Sequence, residues 1–378
     1  MSKKINALEY IRGISMLGVI GIHTGAYSLT NPFVNIHLFA LFEIFTRFSV
    51  PIFFFVSSFG LFKNQNLNAS LDFGNFMIRR LRTVLIPYVV WSLLYMLHYS
   101  WVSGDLNIWK PNLFIKFLLF GLASYQLYFL VILLWFYSLM PLWRLVVKYI
   151  CTRPLTYLSI LFILQIAFNY YSSYLLSPNF PNHYINLLVQ HRLSYWVIHY
   201  VFIFLFGAVC AIHYQAFLNY LDKYKKTVTW AFALSLTGIL AFYYYLLFIK
   251  GYTPEQAVNT AHQLSPIGVV YTLTATLYFF AIFSFNKISK TWSSLLSHLG
   301  HNSYAVYLVH PIVMYYLISY ITGAGKIMTA PITMAFFIIT VAISITLAIL
   351  IKKISQFIPI LSLLLTGTST SRKSTQPS

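Results

Sequence analysis

The chain has 378 residues, of which 59% are hydrophobic, 19% aromatic and only 8% charged. Soluble globular proteins contain about 25% charged residues, so this composition excludes a soluble enzyme. Six acidic residues and 25 lysines and arginines are too few to cover the surface of a water-soluble chain of this length, which indicates that much of the surface faces lipid. The net charge of +19 therefore describes a membrane protein, and we expect no nucleic-acid partner.

Apolar runs long enough to cross the bilayer recur along the whole chain. We predict an all-α integral membrane protein whose transmembrane domain occupies residues 1–355. A cytoplasmic tail over 356–378 follows, with a polar end that is expected to be disordered. The predicted bundle has about ten transmembrane helices, in chain order 10–30, 36–62, 84–103, 118–142, 155–173, 196–215, 228–249, 267–285, 302–321 and 330–351.

The lysines and arginines divide unequally between the two ends of these helices. If the N-terminus is cytoplasmic, 18 of the 25 fall in cytoplasmic segments and five in outer segments, while Arg12 and Arg47 lie within spans. This split follows the positive-inside rule, and it predicts a multi-pass protein of the cell membrane with both termini in the cytoplasm. The two cysteines, Cys151 and Cys210, fit neither a metal site nor a disulfide framework, and we expect no metal.

Ionisable side chains at membrane depth cost about 2.5–3.5 kcal/mol each, so each one is a functional candidate. The first predicted helix carries Arg12 and His23 eleven residues apart, which places them on one face, about 16 Å apart along the helix axis. Glu9 stands three residues before Arg12, where it can pair with the guanidinium. Alternatively, Arg12 only reaches the lipid headgroups and His23 is a hydrogen-bonded core residue. Their shared face favours a functional pair.

Five segments together resemble the membrane acyltransferase 3 family. LEYIRGISMLGVIGIH (8–23) is similar to its first helix, which carries an acid, an arginine and then a histidine at this spacing. TRFSVPIFFFVSSFGLF (46–62) resembles the second helix, and MIRRLRTVLIPY (77–88) resembles the Arg-x-x-Arg element through Arg79 and Arg82. SYQLYFLVILLWFYSLMP (124–141) and LGHNSYAVYLVHP (299–311) are similar to the middle and late helices.

The resemblance implies a membrane O-acyltransferase. Such an enzyme moves an acetyl or other short acyl group from cytoplasmic acyl-CoA to a hydroxyl of a cell-surface or lipid-linked glycan. Acyl-CoA, with acetyl-CoA as the expected form, is then a substrate, and no cofactor is bound permanently. Arg79, Arg80 and Arg82 are the candidate donor-binding residues, because guanidinium groups bind phosphates with two hydrogen bonds. The alternative is that these arginines only set the topology.

Acyl transfer to a hydroxyl needs a base that accepts the hydroxyl proton. His23 is the candidate base, since a neutral imidazole suits that task, and Arg12 and Glu9 complete the candidate catalytic set. Glu43 and Arg47 are four residues apart and are predicted to neutralise each other. They form either a buried structural pair, which we favour, or a lining of the acceptor side.

His310 and two serines are weaker candidates. His310 is interpreted as a satisfied core histidine, and the alternative is a second polar group in the cavity of His23. Ser57 and Ser58 carry possible nucleophiles, although serines in membrane helices usually bond their own backbone.

The alternative function is an exporter or transporter of polysaccharide or lipid-linked sugars. Transporters often contain repeats in matching halves, whereas the motif residues here are concentrated in the first 90 positions. This asymmetry favours the enzyme, and the sequence leaves the oligomeric state open.

Overall fold

The computed structural model describes residues 5–367. Helices make up 80% of the structure, and no β-strand occurs in the described range. The expectation of an all-α protein is therefore confirmed. The polar end of the predicted tail, from residue 368 onward, lies outside the described residues.

The described helices follow one another with short connections. The first six are α1 (Asn6–Ser28), α2 (Ile36–Glu43), α3 (Ser49–Phe62), α4 (Phe73–Arg80), α5 (Ile86–Ser103) and α6 (Pro111–Phe120). The next seven are α7 (Tyr128–Ser138), α8 (Met140–Ile150), α9 (Pro154–Tyr170), α10 (His183–Gln190), α11 (Arg192–Tyr195), α12 (Val201–Ile212) and α13 (Tyr214–Lys223). The last six are α14 (Lys225–Phe248), α15 (Pro254–Thr260), α16 (Pro266–Phe285), α17 (Lys290–Gly323), α18 (Ala330–Phe357) and α19 (Pro359–Thr366).

The chain is a multi-pass membrane protein with six to eight candidate spans among the described residues. Six helical stretches are long and apolar enough to cross a bilayer, and two bent helix pairs pass the same test together. The six are Phe73–Ser103, Pro154–Leu175, Lys225–Phe248, Pro266–Phe285, Lys290–Gly323 and Ala330–Phe357. The bent pairs are α7 with α8, at 71°, and α12 with α13, at 100°. The predicted count of ten and the orientation of the termini stay predictions.

Two of the predicted spans are interrupted. The helix expected over 36–62 breaks between Glu43 and Ser49, where a series of turns separates α2 from α3. The helix expected over 118–142 begins only at Tyr128, because Gly121 ends α6 in the left-handed conformation with φ of 68°. It then bends at Leu139, just before Pro141 in the first turn of α8, since proline cannot donate the backbone hydrogen bond that would continue α7.

Helices α1 and α17 pack backbone against backbone. A Cβ atom added at Gly300 would lie 2.1 Å from the Glu9 carbonyl oxygen, and one added at Gly13 would lie 2.6 Å from the Leu296 carbonyl oxygen. No real side chain fits at such distances, so the two backbones touch where glycine stands, as is usual for helix pairs in membranes. The two helices run in parallel, with their first turns at the same end of the bundle.

The basic segment, which carries Arg79 and Arg80 at the end of α4 and Arg82 in the turn that follows, lies at this same end. Asp72 caps α4 by accepting hydrogen bonds from the side chain and the backbone of Asn75, and these bonds lower the pKa of the Asp72 carboxyl. A π-helical turn, Leu81–Leu85, joins α4 to α5. α18 continues past the expected domain boundary at 355, and α19 then packs on α5, where Trp91 Nε1 donates to the Leu365 carbonyl oxygen at 3.0 Å.

Candidate active site

α1 places Glu9, Arg12 and His23 on one face. Arg12 Nη1 lies 3.6 Å from Glu9 Oε1, which forms the i,i+3 ion pair that the sequence predicts. Arg12 faces a cavity of about 310 Å³, named here the Arg12 chamber. Its wall is built from α1, α3, α7 and α17 and includes Arg12, Phe53, Ser57, Phe129, His301, Tyr304 and Tyr307.

His23 lies in a second, smaller cavity of about 60 Å³, named here the His23 chamber. Phe53, Phe129 and Tyr307 line both chambers, so these three aromatic side chains form the wall between them. The remaining wall of the His23 chamber includes Val19, Ile22, Val50 and four polar residues, Arg47, Gln126, Tyr128 and Gln263. Arg12 and His23 therefore line two adjoining cavities, and the three shared aromatic side chains lie between these cavities.

The ring of His23 contacts two other rings. Its centroid lies 4.1 Å from that of Tyr125 and 5.5 Å from that of His310, whose plane is tilted by only 21°. His310 is fully buried, and its Nδ1 lies 3.2 Å from the Val306 carbonyl oxygen. With the Nδ1 proton donated there, Nε2 is an acceptor, and it has no hydrogen-bond partner among residues 5–367. His310 thus has one satisfied nitrogen and lies directly beside His23.

Glu43 and Arg47 form the predicted pair across the break between α2 and α3. Arg47 Nη2 donates to Glu43 Oε2 at 2.7 Å, and the side chains are only 11% and 4% exposed respectively. Glu43 packs against Gly25 of α1, where an added Cβ would lie 2.5 Å from Glu43 Cγ. Arg47 Nη1 also donates to Gln263 Oε1 at 3.4 Å. The pair is buried, as the favoured interpretation predicts, and its cation lines the His23 chamber.

The three arginines of the basic segment differ in their surroundings. Arg79 and Arg82 are exposed, whereas Arg80 is partly buried over the rings of Phe76 and Tyr137, at 5.3 and 5.2 Å. The Tyr137 hydroxyl lies 3.3 Å from Ser57 Oγ, and Ser57 lines the Arg12 chamber. Arg80 is therefore connected to this chamber through Tyr137. Ser58, by contrast, donates to the Phe55 carbonyl oxygen, as membrane serines usually do.

Sequence reasoning missed the uncharged polar residues of the His23 chamber. Gln126 lies in the turn before α7, where its backbone carbonyl oxygen accepts a hydrogen bond from the Tyr307 hydroxyl. Gln263 lies in the turn between α15 and α16. A glutamine in an apolar stretch, like a charged residue there, marks a candidate functional position. Nothing in the local sequence shows that two separate turns meet at His23.

A family model described as an acyltransferase domain matches residues 5–350. The chain belongs to the acyltransferase 3 family. Neither the curated proteins nor the solved structures give a significant match. The match covers the residues of both chambers, so a family domain holds the aromatic partition and every polar side chain around His23.

The Glu43–Arg47 pair gives a prediction about stability. Glu43→Leu removes the partner of a buried cation and is expected to lower the free energy of unfolding by about 3–5 kcal/mol. The double variant Glu43→Leu/Arg47→Met removes both charges and should recover most of this loss. Unfolding of wild type, both single variants and the double variant forms a complete cycle. Additive effects, with an interaction energy below about 0.5 kcal/mol, would contradict a coupled pair.

Proposed function

We propose that the protein is a membrane O-acyltransferase that moves an acetyl or other short acyl group from acyl-CoA to a hydroxyl of a cell-surface or lipid-linked glycan. The observation that carries this proposal is the pair of adjoining chambers. The first is lined by Arg12 and by Ser57, which contacts Tyr137 beneath Arg80. The second is lined by His23 and its polar neighbours, and Phe53, Phe129 and Tyr307 line both. Membership of an acyltransferase family supports group transfer as the reaction.

The donor enters from the basic end. Arg80, with Arg79 and Arg82 beside it at the surface, offers guanidinium groups for the phosphates of acyl-CoA. The pantetheine arm then occupies the Arg12 chamber, and the acyl group passes between Phe53, Phe129 and Tyr307 to reach His23. The distance of about 16 Å from Arg12 to His23 requires an extended arm of this kind. The positive-inside rule assigns this end, with both termini, to the cytoplasm.

The transfer follows from the groups in the His23 chamber. His23 accepts the proton of the acceptor hydroxyl while the hydroxyl oxygen attacks the thioester carbonyl carbon. The Arg47 guanidinium stabilises the resulting oxyanion, since a preorganised cation acts most strongly where water is excluded. Collapse of the tetrahedral intermediate breaks the carbon–sulfur bond and forms the ester. The CoA thiolate leaves and takes the proton from His23, which restores the neutral imidazole. His310 positions the His23 ring by stacking against it.

His23→Ala tests the proposed base in cells. The variant is expected to lose acyl transfer by about 10²–10⁴-fold, because general-base catalysis contributes that much, while the amount of exported polymer stays normal. The measurement is the ester content and the quantity of surface polysaccharide, with the membrane level of the variant as control. Normal acylation would exclude His23 as the base. Loss of polymer from the surface would instead identify an exporter.

Arg80 tests the donor site in the purified protein. Arg80→Ala should weaken binding of acetyl-CoA by the value of a charge-assisted hydrogen bond, about 1.5–3 kcal/mol or roughly 10- to 150-fold. Arg80→Lys should restore part of the affinity, because lysine keeps the charge but not the planar fork. Arg153→Ala, at an exposed arginine just before α9, is the matched control and should bind as wild type does. Equal affinities in all four proteins would remove Arg80 from the donor site.

A further inference from the structure

A third cavity lies beyond His23, on the side away from Arg12. It has a volume of about 280 Å³ and is named here the tyrosine cavity. Tyr27 reaches it from α1, one helical turn after His23, and Tyr315 reaches it from α17, five residues after His310. The aromatic side chains that line it are Tyr27, Tyr95, His98, Tyr99, Tyr125 and Tyr315.

Tyr125 connects the tyrosine cavity to His23. Its ring lines the cavity and also lies 4.1 Å, between centroids, from the His23 ring. Tyr125 belongs to the turn before α7 rather than to a helix, and the residue as a whole is 42% exposed. Its hydroxyl donates to the Met314 sulfur at 3.5 Å, which is a weak acceptor. The Tyr125 ring therefore forms the wall between the tyrosine cavity and His23.

The lining has the chemistry of a site for an uncharged sugar. Ring faces offer apolar surface, while phenol hydroxyls, the His98 imidazole and Ser124 offer hydrogen-bonding edges. The described lining residues include no lysine, arginine, aspartate or glutamate, which disfavours a phosphate-bearing ligand. The volume is just below the usual range for small-molecule pockets, about 300–1,000 Å³, and suits one sugar ring rather than a chain.

We infer that the tyrosine cavity is the acceptor site and binds one neutral sugar ring of the glycan. This inference rests on the proposed function. The hydroxyl to be acylated passes Tyr125 to reach His23, while the thioester arrives from the opposite side, through the Arg12 chamber. Donor and acceptor thus meet at His23 without sharing a binding site.

Val102→Trp tests the inference, because Val102 lines the tyrosine cavity from α5 and a tryptophan there fills it. Leu97→Trp is the matched control, since Leu97 is on the same helix, is 55% exposed and is not among the lining residues. The assay uses purified protein, acetyl-CoA and the surface polysaccharide of the source cell, stripped of its esters by mild alkali. For Val102→Trp we expect the KM for polysaccharide to rise about tenfold or more, with acetyl-CoA affinity unchanged. Leu97→Trp should leave both quantities unchanged.

A second variant distinguishes loss of the acceptor site from a folding defect around Val102→Trp. Tyr315→Ala removes one stacking surface and enlarges the cavity, and it should raise the KM for polysaccharide about two- to tenfold while acetyl-CoA affinity again stays constant. An unchanged polysaccharide KM in both Val102→Trp and Tyr315→Ala, with transfer by wild type intact, would overturn the acceptor site alone. A wild-type protein that neither binds acetyl-CoA nor acylates the polysaccharide would overturn the proposed function, and the acceptor site with it.

Discussion

The backbone contact between α1 and α17 determines the arrangement of the whole site. At Gly13 and Gly300 the backbone carbonyl group of one helix lies against the glycine Cα atom of the other. Any larger side chain at either position would force the two helices apart. Because the helices are parallel, their side chains form successive levels along the bundle. Arg12 lies at the level of His301, and His23 at the level of His310. A small increase in separation would widen every chamber between these levels and loosen the stack of imidazole rings.

Buried charge sets the second constraint. An arginine at membrane depth is costly. Glu43 pairs with Arg47 across the break between α2 and α3, and Gln263 reaches Arg47 from the turn between α15 and α16. The close approach of Glu43 to Gly25 ties this pair to α1. The cation is thereby held beside His23 with little freedom to turn away. In an acyl transfer, a fixed cation stabilises developing negative charge without first having to reorganise.

The sequence predicts those parts of the site that depend on local spacing. A spacing of eleven residues places Arg12 and His23 on one helix face. A spacing of four residues suffices for the ion pair of Glu43 and Arg47, even though the helix breaks there. The stacking of His310 on His23 joins positions 287 residues apart in the chain, and only the packing of α17 on α1 brings them together. Tyr125 and Gln263 lie in turns, and the spacing of apolar residues, which predicts helix faces, does not predict where a turn lies in the fold.

The central claim is that an acyl thioester crosses the aromatic wall to reach His23. It is tested most directly by a cryo-EM structure of the protein with a non-hydrolysable thioether analogue of acetyl-CoA. We predict that the pantetheine arm occupies the Arg12 chamber and that the acyl carbonyl carbon lies in the His23 chamber, between Arg47 and the imidazole. An analogue whose acyl end lies elsewhere, for example in the apolar cavity of about 500 Å³ that Phe162, Phe206 and Leu273 line, would contradict the account.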